Sequence, residues 1–274
     1  MEGNAMQERK KLYWTGNVAK SGIIEEILGQ TPRPTTIFDF GCGDGGDWPS
    51  ILTDHPWIKL IGYEPYGPSA QKATARLRTL PAEIHTGKSI DSLNFKADYI
   101  VSFSVFEHVI DRQSYLANAK RFLSENGIFY LNYDDGHFRY VNDLGDRKSW
   151  MPAIKSLGLT LFSGVTVKVG LSTTFQKRVA KCDIDRLVDE FGFHMERCSY
   201  NNMASMKELA KTIPEEQKIA FAQLWLELEK TLNEKYRCNL AEEKYADPTN
   251  LWRQMGSRTL VLKHKKSLGS GVIL

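Results

Sequence analysis

The sequence contains few of the features that mark secreted, metal-bound or membrane proteins. Its four cysteines (Cys42, Cys182, Cys198 and Cys238) are far apart and form no C-x-x-C pair, which argues against a disulfide framework and a zinc or other metal site. The longest apolar run, around 99–106, is far shorter than the roughly 20 residues of a membrane span. The first eleven residues lack the apolar core of a signal peptide. We therefore expect reduced thiols, no membrane association and a cytoplasmic location.

The chain also lacks an excess of charge of one sign. It has 36 Lys and Arg against 33 Asp and Glu, a formal net charge of +3. Proteins that bind nucleic acid usually carry a clear basic face, so a nucleic-acid partner is not expected. The chain has 274 residues with 42% hydrophobic content and shows no repeat or low-complexity tract. These values predict one large domain with insertions.

Apolar segments of strand length alternate with segments of helical periodicity along most of the chain. The alternation with short links predicts an α/β fold, a Rossmann-like doubly wound sheet of seven strands, mostly parallel with the last strand antiparallel. The predicted strands are residues 37–40, 58–63, 82–85, 97–103, 128–133, 193–200 and 257–264. The fourth is almost entirely apolar, as expected for a strand covered on both faces.

Two stretches interrupt this rhythm and predict insertions. After residue 133 the chain is rich in loop-forming residues, with one β-rich piece at 159–169, and residues 204–247 have helical character. The predicted organisation is an N-terminal helix or lid at 1–32, a core at 33–135 and 178–265, cap insertions at 136–177 and 201–250, and a tail at 266–274.

A glycine-rich turn follows the first predicted strand. Gly41, Gly43, Gly45 and Gly46 stand within six positions, and residues without a Cβ let the backbone bend sharply and approach a ligand. Asp39 lies two residues before this turn, in an apolar strand where a carboxylate needs a hydrogen-bonding role. The segment therefore predicts a ligand site for a molecule that carries donors or positive charge.

The same turn is compatible with a second reading. Its glycines fit G-x-G-x-x-G, and Glu64 ends the next strand, as in the fingerprint of NAD(P)-dependent oxidoreductases. Asp39, Asp44 and Asp47 place negative charge around the start of the following helix, which opposes pyrophosphate binding. A ligand with an ammonium or sulfonium group fits better, and the oxidoreductase stays as an alternative.

Residues 39–45, Asp-Phe-Gly-Cys-Gly-Asp-Gly, resemble the D-x-G-x-G-x-G motif of class I S-adenosylmethionine-dependent methyltransferases. Residues 61–65 resemble that family's acidic second motif. Residues 98–109, which end in Glu-His-Val, resemble the fourth-strand segment of its small-molecule branch, and 127–131 resemble the fifth. The resemblance implies S-adenosylmethionine as the cofactor and methyl transfer to an oxygen or nitrogen of a small or medium-sized acceptor.

The resemblance also implies roles for individual residues. Glycines 41 and 43 would contact the methionine part of the cofactor, Asp39 would organise its ammonium, and Glu64 would accept both ribose hydroxyls. Lys88 stands where this branch often has an acid, so Ser89 or a backbone group would replace that adenine contact. The implied cofactor-binding residues are Asp39, Gly41, Cys42, Gly43, Glu64, Pro65, Ser89, Ile90, Ser102 and Phe103.

Candidate catalytic residues follow the fourth and fifth predicted strands, whose carboxyl ends border the crevice. A general base is needed if the acceptor is a hydroxyl or an ammonium. The candidate bases are His137, His108, Asp134 and Asp135, and the candidate walls or lid are Tyr133, Tyr13 and Trp14. A methyltransferase-like binding module without activity remains a third hypothesis, and a homodimer remains open.

Overall fold

The computed structural model describes residues 12–30, 33–134, 151–168, 181–235 and 255–265. These ranges contain one seven-stranded sheet with the order β3-β2-β1-β4-β5-β7-β6. The strands are β1 (Thr35–Phe40), β2 (Ile58–Tyr63), β3 (Ala82–His85), β4 (Ala97–Phe103), β5 (Leu123–Asp134), β6 (Phe193–Met203) and β7 (Met255–His264). The first five are parallel and β7 is antiparallel to its neighbours β5 and β6, which confirms the predicted fold class.

Eight α-helices connect or cover these strands within the described ranges. They are α1 (Val18–Gln30), α2 (Trp48–Asp54), α3 (Gly67–Leu77), α4 (Arg112–Phe122), α5 (Met151–Lys168), α6 (Lys181–Glu190), α7 (Ala204–Ala210) and α8 (Lys218–Lys235). The chain leaves β1 toward β2 and β3 and then returns to β4 on the other side of β1. The strand order therefore reverses between β1 and β4, where open α/β sheets bind ligands at the carboxyl ends of their strands.

Both faces of the sheet are covered by helices. Phe38 and Phe129 lie in a cluster with residues of α4 and α6 on one face. Tyr99 and Tyr130 lie in a second cluster with residues of α1, α2 and α3 on the other face. Successive side chains of a strand point to opposite faces, so apolar strands are needed to supply both clusters.

The predicted β-rich piece at 159–169 is wrong, because α5 occupies Met151–Lys168. A short apolar run cannot be assigned to strand or helix by periodicity alone, and its Thr and Val residues favoured the strand. Leu157, Leu161 and Phe162 of α5 are exposed. No helix of the described residues is both long and apolar enough to cross a membrane.

Helix α8, from the second predicted insertion, is joined to strand β6 by side-chain hydrogen bonds. The Asn233 amide accepts from the Tyr200 backbone N–H and donates to the Tyr200 carbonyl, both at 2.7 Å. The Glu229 carboxylate accepts from Trp225 Nε1 at 2.6 Å and from the Met203 N–H at 2.8 Å. These bonds fix α8 beside the sheet.

Candidate functional site

The glycine turn after β1 has the geometry of a ligand cradle. Gly41 has a φ of +107°, and a Cβ there would lie 2.3 Å from Val105 Cγ2, so a side chain is excluded. Gly43 has a φ of +57°, and a Cβ there would have no atom within 4 Å. Positive φ favours glycine at both positions, and the space beside Gly43 lets a ligand approach its backbone.

The Glu64 carboxylate lies across this turn. Its Oε2 accepts from the Gly43 N–H at 3.0 Å and its Oε1 accepts from the Tyr66 N–H at 2.9 Å. An ionised carboxylate has about four acceptor positions, so each oxygen keeps one for a ligand hydroxyl. Pro65 is exposed, and Tyr66 is 45% exposed beside it, which leaves an open wall next to the carboxylate.

Asp39 is only 1% exposed, and the chain itself supplies its partners. Trp48 Nε1 donates to its Oδ2 at 2.6 Å, and Lys20 Nζ lies 3.6 Å from the same oxygen. Lys20 also contacts Asp47 Oδ2 at 2.9 Å. Lys20 therefore supplies a cation to Asp39 from within the chain, and the contact of Asp39 with the cofactor's ammonium stays a prediction.

Lys20 is a site residue that sequence reasoning missed. Burial lowers its pKa, but the charges of Asp39 and Asp47 outweigh this and raise the pKa above the ordinary value. Its Nζ lies 5.5 Å from the centre of the Phe103 ring, within range of a cation–π contact. The sequence does contain a sign of this residue, because Lys20 stands in the apolar stretch 18–24 of α1. Such a lysine indicates a buried charge, but it does not identify the acidic partner.

Ser102 and Phe103 point to opposite faces of the sheet, as successive residues of a strand must. The Tyr115 hydroxyl donates to the Phe40 carbonyl at 3.0 Å and is hydrogen-bonded to Ser102 Oγ at 2.7 Å. Burial raises the pKa of Tyr115 well above its ordinary value. The Ser102 side chain is therefore a buried group on the face opposite Phe103 and Lys20, and its place near the reactive methyl group stays a prediction.

The remaining predicted cofactor residues line the turn or lie beside it. Cys42 is buried, and burial, followed by the charge of Asp39, raises the pKa of its thiol; this suits a packing residue rather than a nucleophile. Ile90 is also buried, in the 3-10 turn Gly87–Ser92. The side chain of Ser89 in this turn lies outside the described residues.

A second group of polar residues gathers where β5 ends. Glu107 is 1% exposed, and burial raises the pKa of its carboxyl to about 8. Its Oε1 accepts from the Asp134 N–H at 3.2 Å, and Lys207 Nζ lies 3.7 Å from Asp134 Oδ2. His108 is half-buried in the adjacent 3-10 turn. His137 and Asp135 lie outside the described residues.

A buried polar network crosses from β5 to β7 and β6. The Asn132 amide donates to Ser257 Oγ at 3.1 Å and to Thr259 Oγ1 at 2.9 Å, and Asn202 donates to the same Ser257 oxygen at 2.7 Å. Within the described residues, Asn132 Oδ1, Asn202 Oδ1 and Glu107 Oε2 are buried without a hydrogen-bond partner. Buried polar atoms are normally paired, so the two amide oxygens are candidate contacts for a ligand or an ordered water.

Three predicted wall residues have other positions. Tyr133 is buried, and its hydroxyl accepts from Arg258 Nη1 at 2.8 Å. Tyr13 donates to Asp54 at 2.6 Å, at the end of α2 that lies away from the glycine turn. Trp14 packs beside α8 in a separate cluster. Because strand periodicity does not identify which helix covers a face, the sequence could not place these side chains.

Comparisons with known proteins agree with this architecture. A family model described as methyltransferase domain matches residues 14–196, well over half of the chain. No curated relative matches the chain in sequence. A cyclopropane synthase from Mycobacterium tuberculosis has a TM-score of 0.53 and 17% identity, over 89% of this chain and 84% of that one.

Two further solved structures share the fold. A plantazolicin methyltransferase, solved with a substrate analogue and S-adenosylhomocysteine, has a TM-score of 0.52 and 12% identity over 92% of this chain and 85% of that one. A geranyl diphosphate C-methyltransferase from Streptomyces coelicolor has a TM-score of 0.51 and 12% identity over 89% and 79%. At such identities the likeness concerns the fold alone.

Proposed function

The chain belongs to the methyltransferase domain family, with S-adenosylmethionine as its cofactor, and on this premise we propose that it methylates an oxygen or nitrogen of a small or medium-sized acceptor. The observation that carries the proposal is the Glu64 carboxylate. Two backbone N–H groups hold it in place, and each oxygen keeps an acceptor position for a ribose hydroxyl. Gly43 beside it leaves open space for the cofactor.

Lys20, Asp39 and Asp47 form the polar end of the same cradle. The buried ammonium of Lys20 between two carboxylates provides a positive charge for the cofactor's carboxylate, and Asp47 provides a negative charge for its ammonium. Because Trp48 also holds Asp39, these groups are oriented before a ligand arrives. The residues present therefore fit an amino-acid-bearing cofactor.

The bound cofactor supplies a methyl group on a sulfonium, which is a good leaving group. The protein's main task is then alignment in a pocket shielded from water, and orientation alone can supply much of the rate acceleration. The ring of Phe103 and the fixed backbone at Gly41 border the cradle. They restrict the direction from which an acceptor can approach.

Asp134 is our proposed proton acceptor. Burial raises the pKa of the Glu107 carboxyl to about 8, so at pH 7 that group already holds its proton and is not available as the base. The Asp134 side chain is 17% exposed and lies within 3.7 Å of Lys207, so it can receive a proton from a hydroxyl or ammonium. The predicted roles of His108 and His137 remain alternatives to it.

The experiment that tests the function is a pair of calorimetric titrations, with S-adenosylmethionine and with NADH. Binding of S-adenosylmethionine alone supports the proposal, and binding of NADH alone would support the oxidoreductase. If neither ligand binds, both enzyme hypotheses are wrong. Methyl transfer to a metabolite extract, followed by mass spectrometry, then separates an enzyme from a binding module, because only an enzyme yields products 14 Da heavier.

The base assignment needs its own variants once an acceptor is found. Asp134→Asn should lower turnover on a hydroxyl acceptor by about 100-fold, within the usual range for a general base, while cofactor affinity stays unchanged. His108→Ala is the matched comparison at the neighbouring strand end. A larger loss with His108→Ala than with Asp134→Asn would transfer the role to the histidine.

A further inference from the structure

A cavity of about 470 Å³ lies between α1, α8 and the strands β6 and β7. Ala19 and Ile23 of α1 and Leu226 of α8 form its apolar walls, and Ser199 and Thr259 lie on its polar floor. Its volume is within the range of sites that hold small molecules. Helix α1 therefore borders both the cradle, through Lys20, and this cavity.

The hydroxyl groups on the floor of the cavity donate their hydrogens to another side chain of the protein. Ser199 Oγ donates to Asn201 Oδ1 at 3.2 Å and Thr259 Oγ1 donates to the same oxygen at 2.7 Å. The Asn201 amide lies 3.4 Å from Glu229 Oε2, to which it donates. A hydroxyl has one donor and two acceptor positions. The hydroxyls of Ser199 and Thr259 thus offer a ligand acceptor positions only.

A row of cross-strand neighbours connects this floor with the cradle. Phe103 on β4 is paired with Asn132 on β5, Asn132 with Thr259 on β7, and Thr259 with Ser199 on β6. Neighbouring strands are about 4.8 Å apart, so Phe103 and Thr259 are separated by about 10 Å. Asn132, in the middle of the row, has the unpartnered oxygen Oδ1. The floor and the cradle are therefore two to three strand spacings apart.

The mouth of the cavity is held by charged residues of α1 and β6. Arg197 donates to Glu26 Oε2 at 2.6 Å, and the Tyr130 hydroxyl donates to Glu26 Oε1 at 3.1 Å. Lys230 and Glu234 of α8 also line the cavity. The four charged side chains sum to zero, so the lining selects by hydrogen bonding more than by net charge.

We propose that this cavity is a ligand site separate from the cofactor cradle, and that it binds a molecule carrying several hydroxyl or amino groups. The N–H or O–H donors of that molecule bind the acceptor-only floor at Ser199 and Thr259. This inference goes beyond the proposed methyltransferase function, because it adds a second binding site to the chain.

Saturation-transfer NMR on the full chain tests the pocket with three probes: glucose as a polyol, 1,4-diaminobutane as an amine and toluene as an apolar control. Binding of glucose or the diamine, without toluene, supports the proposal and identifies which donor type the floor prefers. Binding of toluene alone, or of no probe, would overturn it. Titration of S-adenosylmethionine on the same sample shows separately whether the proposed function holds.

Two variants of one residue locate the binding site. Ser199→Leu should fill the floor and weaken probe binding at least tenfold, while cofactor affinity is unchanged. Ser199→Ala keeps the space but removes one of the two acceptors, so probe binding should weaken by about two- to tenfold, the loss of one hydrogen bond. Equal probe binding by wild type and Ser199→Leu would place the probes elsewhere and refute the pocket. The three-probe measurement on wild type tests the proposal without any variant, so it remains decisive even if a variant does not fold.

Discussion

The carboxyl ends of β1 and β5 both carry an aspartate that faces a lysine from another part of the chain, but the two pairs differ in burial. Asp39 is 1% exposed, and Lys20 holds it together with Trp48. The Asp134 side chain is 17% exposed, and Lys207, 39% exposed, lies 3.7 Å away. One pair is part of the protein interior and the other lies at its boundary.

The surroundings of the two pairs differ in the same way. Around β1, the Asp39 and Glu64 carboxylates have partners within the chain. Around β5, Glu107 and Asn132 keep buried oxygens that have none. Within the described residues, the carboxylates at β1 are therefore paired by the chain itself, and the polar groups at β5 are paired only in part. Four tests, from the largest expected effect to the smallest, can break or sharpen this comparison.

Removing the buried cation should cost the most stability. Lys20→Met preserves the size of the side chain but leaves the Asp39 carboxylate buried without its cation. Breaking a buried ion pair from one side costs about 3–5 kcal/mol, which urea unfolding at pH 7 can measure. If the free energy of unfolding falls by less than about 1 kcal/mol, Asp39 is solvated and the Lys20–Asp39 pair is not buried.

Glu107→Gln should change how stability depends on pH. The ordinary pKa of the carboxyl is 4.5 and its pKa in the fold is about 8, so between these values the unfolded state loses a proton that the folded state retains. Wild-type stability therefore falls as pH rises through this window. Glu107→Gln has no such proton, so its free energy of unfolding relative to wild type should increase by about 2–4 kcal/mol between pH 5 and pH 8.

Urea unfolding of both proteins at several pH values provides the measurement. Glu125→Gln, at an exposed position on β5, is the control and should follow wild type. The other charged and titratable groups that act on Glu107 or respond to it are Asp134, Arg112 and Tyr115. Parallel curves for wild type and Glu107→Gln would mean that the carboxyl is hydrated rather than buried.

Glu64→Ala should act on the ligand more than on the fold. It removes charge-assisted hydrogen bonds to the ribose hydroxyls, so calorimetry should show S-adenosylmethionine binding weaker by about 1–3 kcal/mol. Glu83→Ala, an exposed acid on the neighbouring β3, is the control. If Glu64→Ala binds S-adenosylmethionine as tightly as wild type, Glu64 does not contact the cofactor.

Lys207→Met should have the smallest effect. Ion pairs with exposed partners contribute about 0–1 kcal/mol, so urea unfolding should shift little and less at high salt. The contrast with Lys20→Met is the direct test of the two aspartate–lysine pairs. A loss comparable to that of Lys20→Met would mean that both pairs are equally structural.

The two sides also differed in how far the sequence could predict them. Gly41, Gly43 and Glu64 follow consecutive strands, so local pattern was enough to place them at one edge. The network of Asn132, Ser257 and Asn202 joins residues more than fifty positions apart, and no periodicity reveals such contacts. Burial of Ser102 against Tyr115 depends on which helix covers which face, which the strand pattern also leaves undetermined.

The amide of Asn233 has a further consequence for self-association. Strand β6 lies at the end of the sheet order, and free backbone groups on an outer strand invite another chain to add a strand. Asn233 occupies both the N–H and the carbonyl of Tyr200, as a neighbouring strand would. A second copy therefore cannot add a strand beside Tyr200 without first displacing α8.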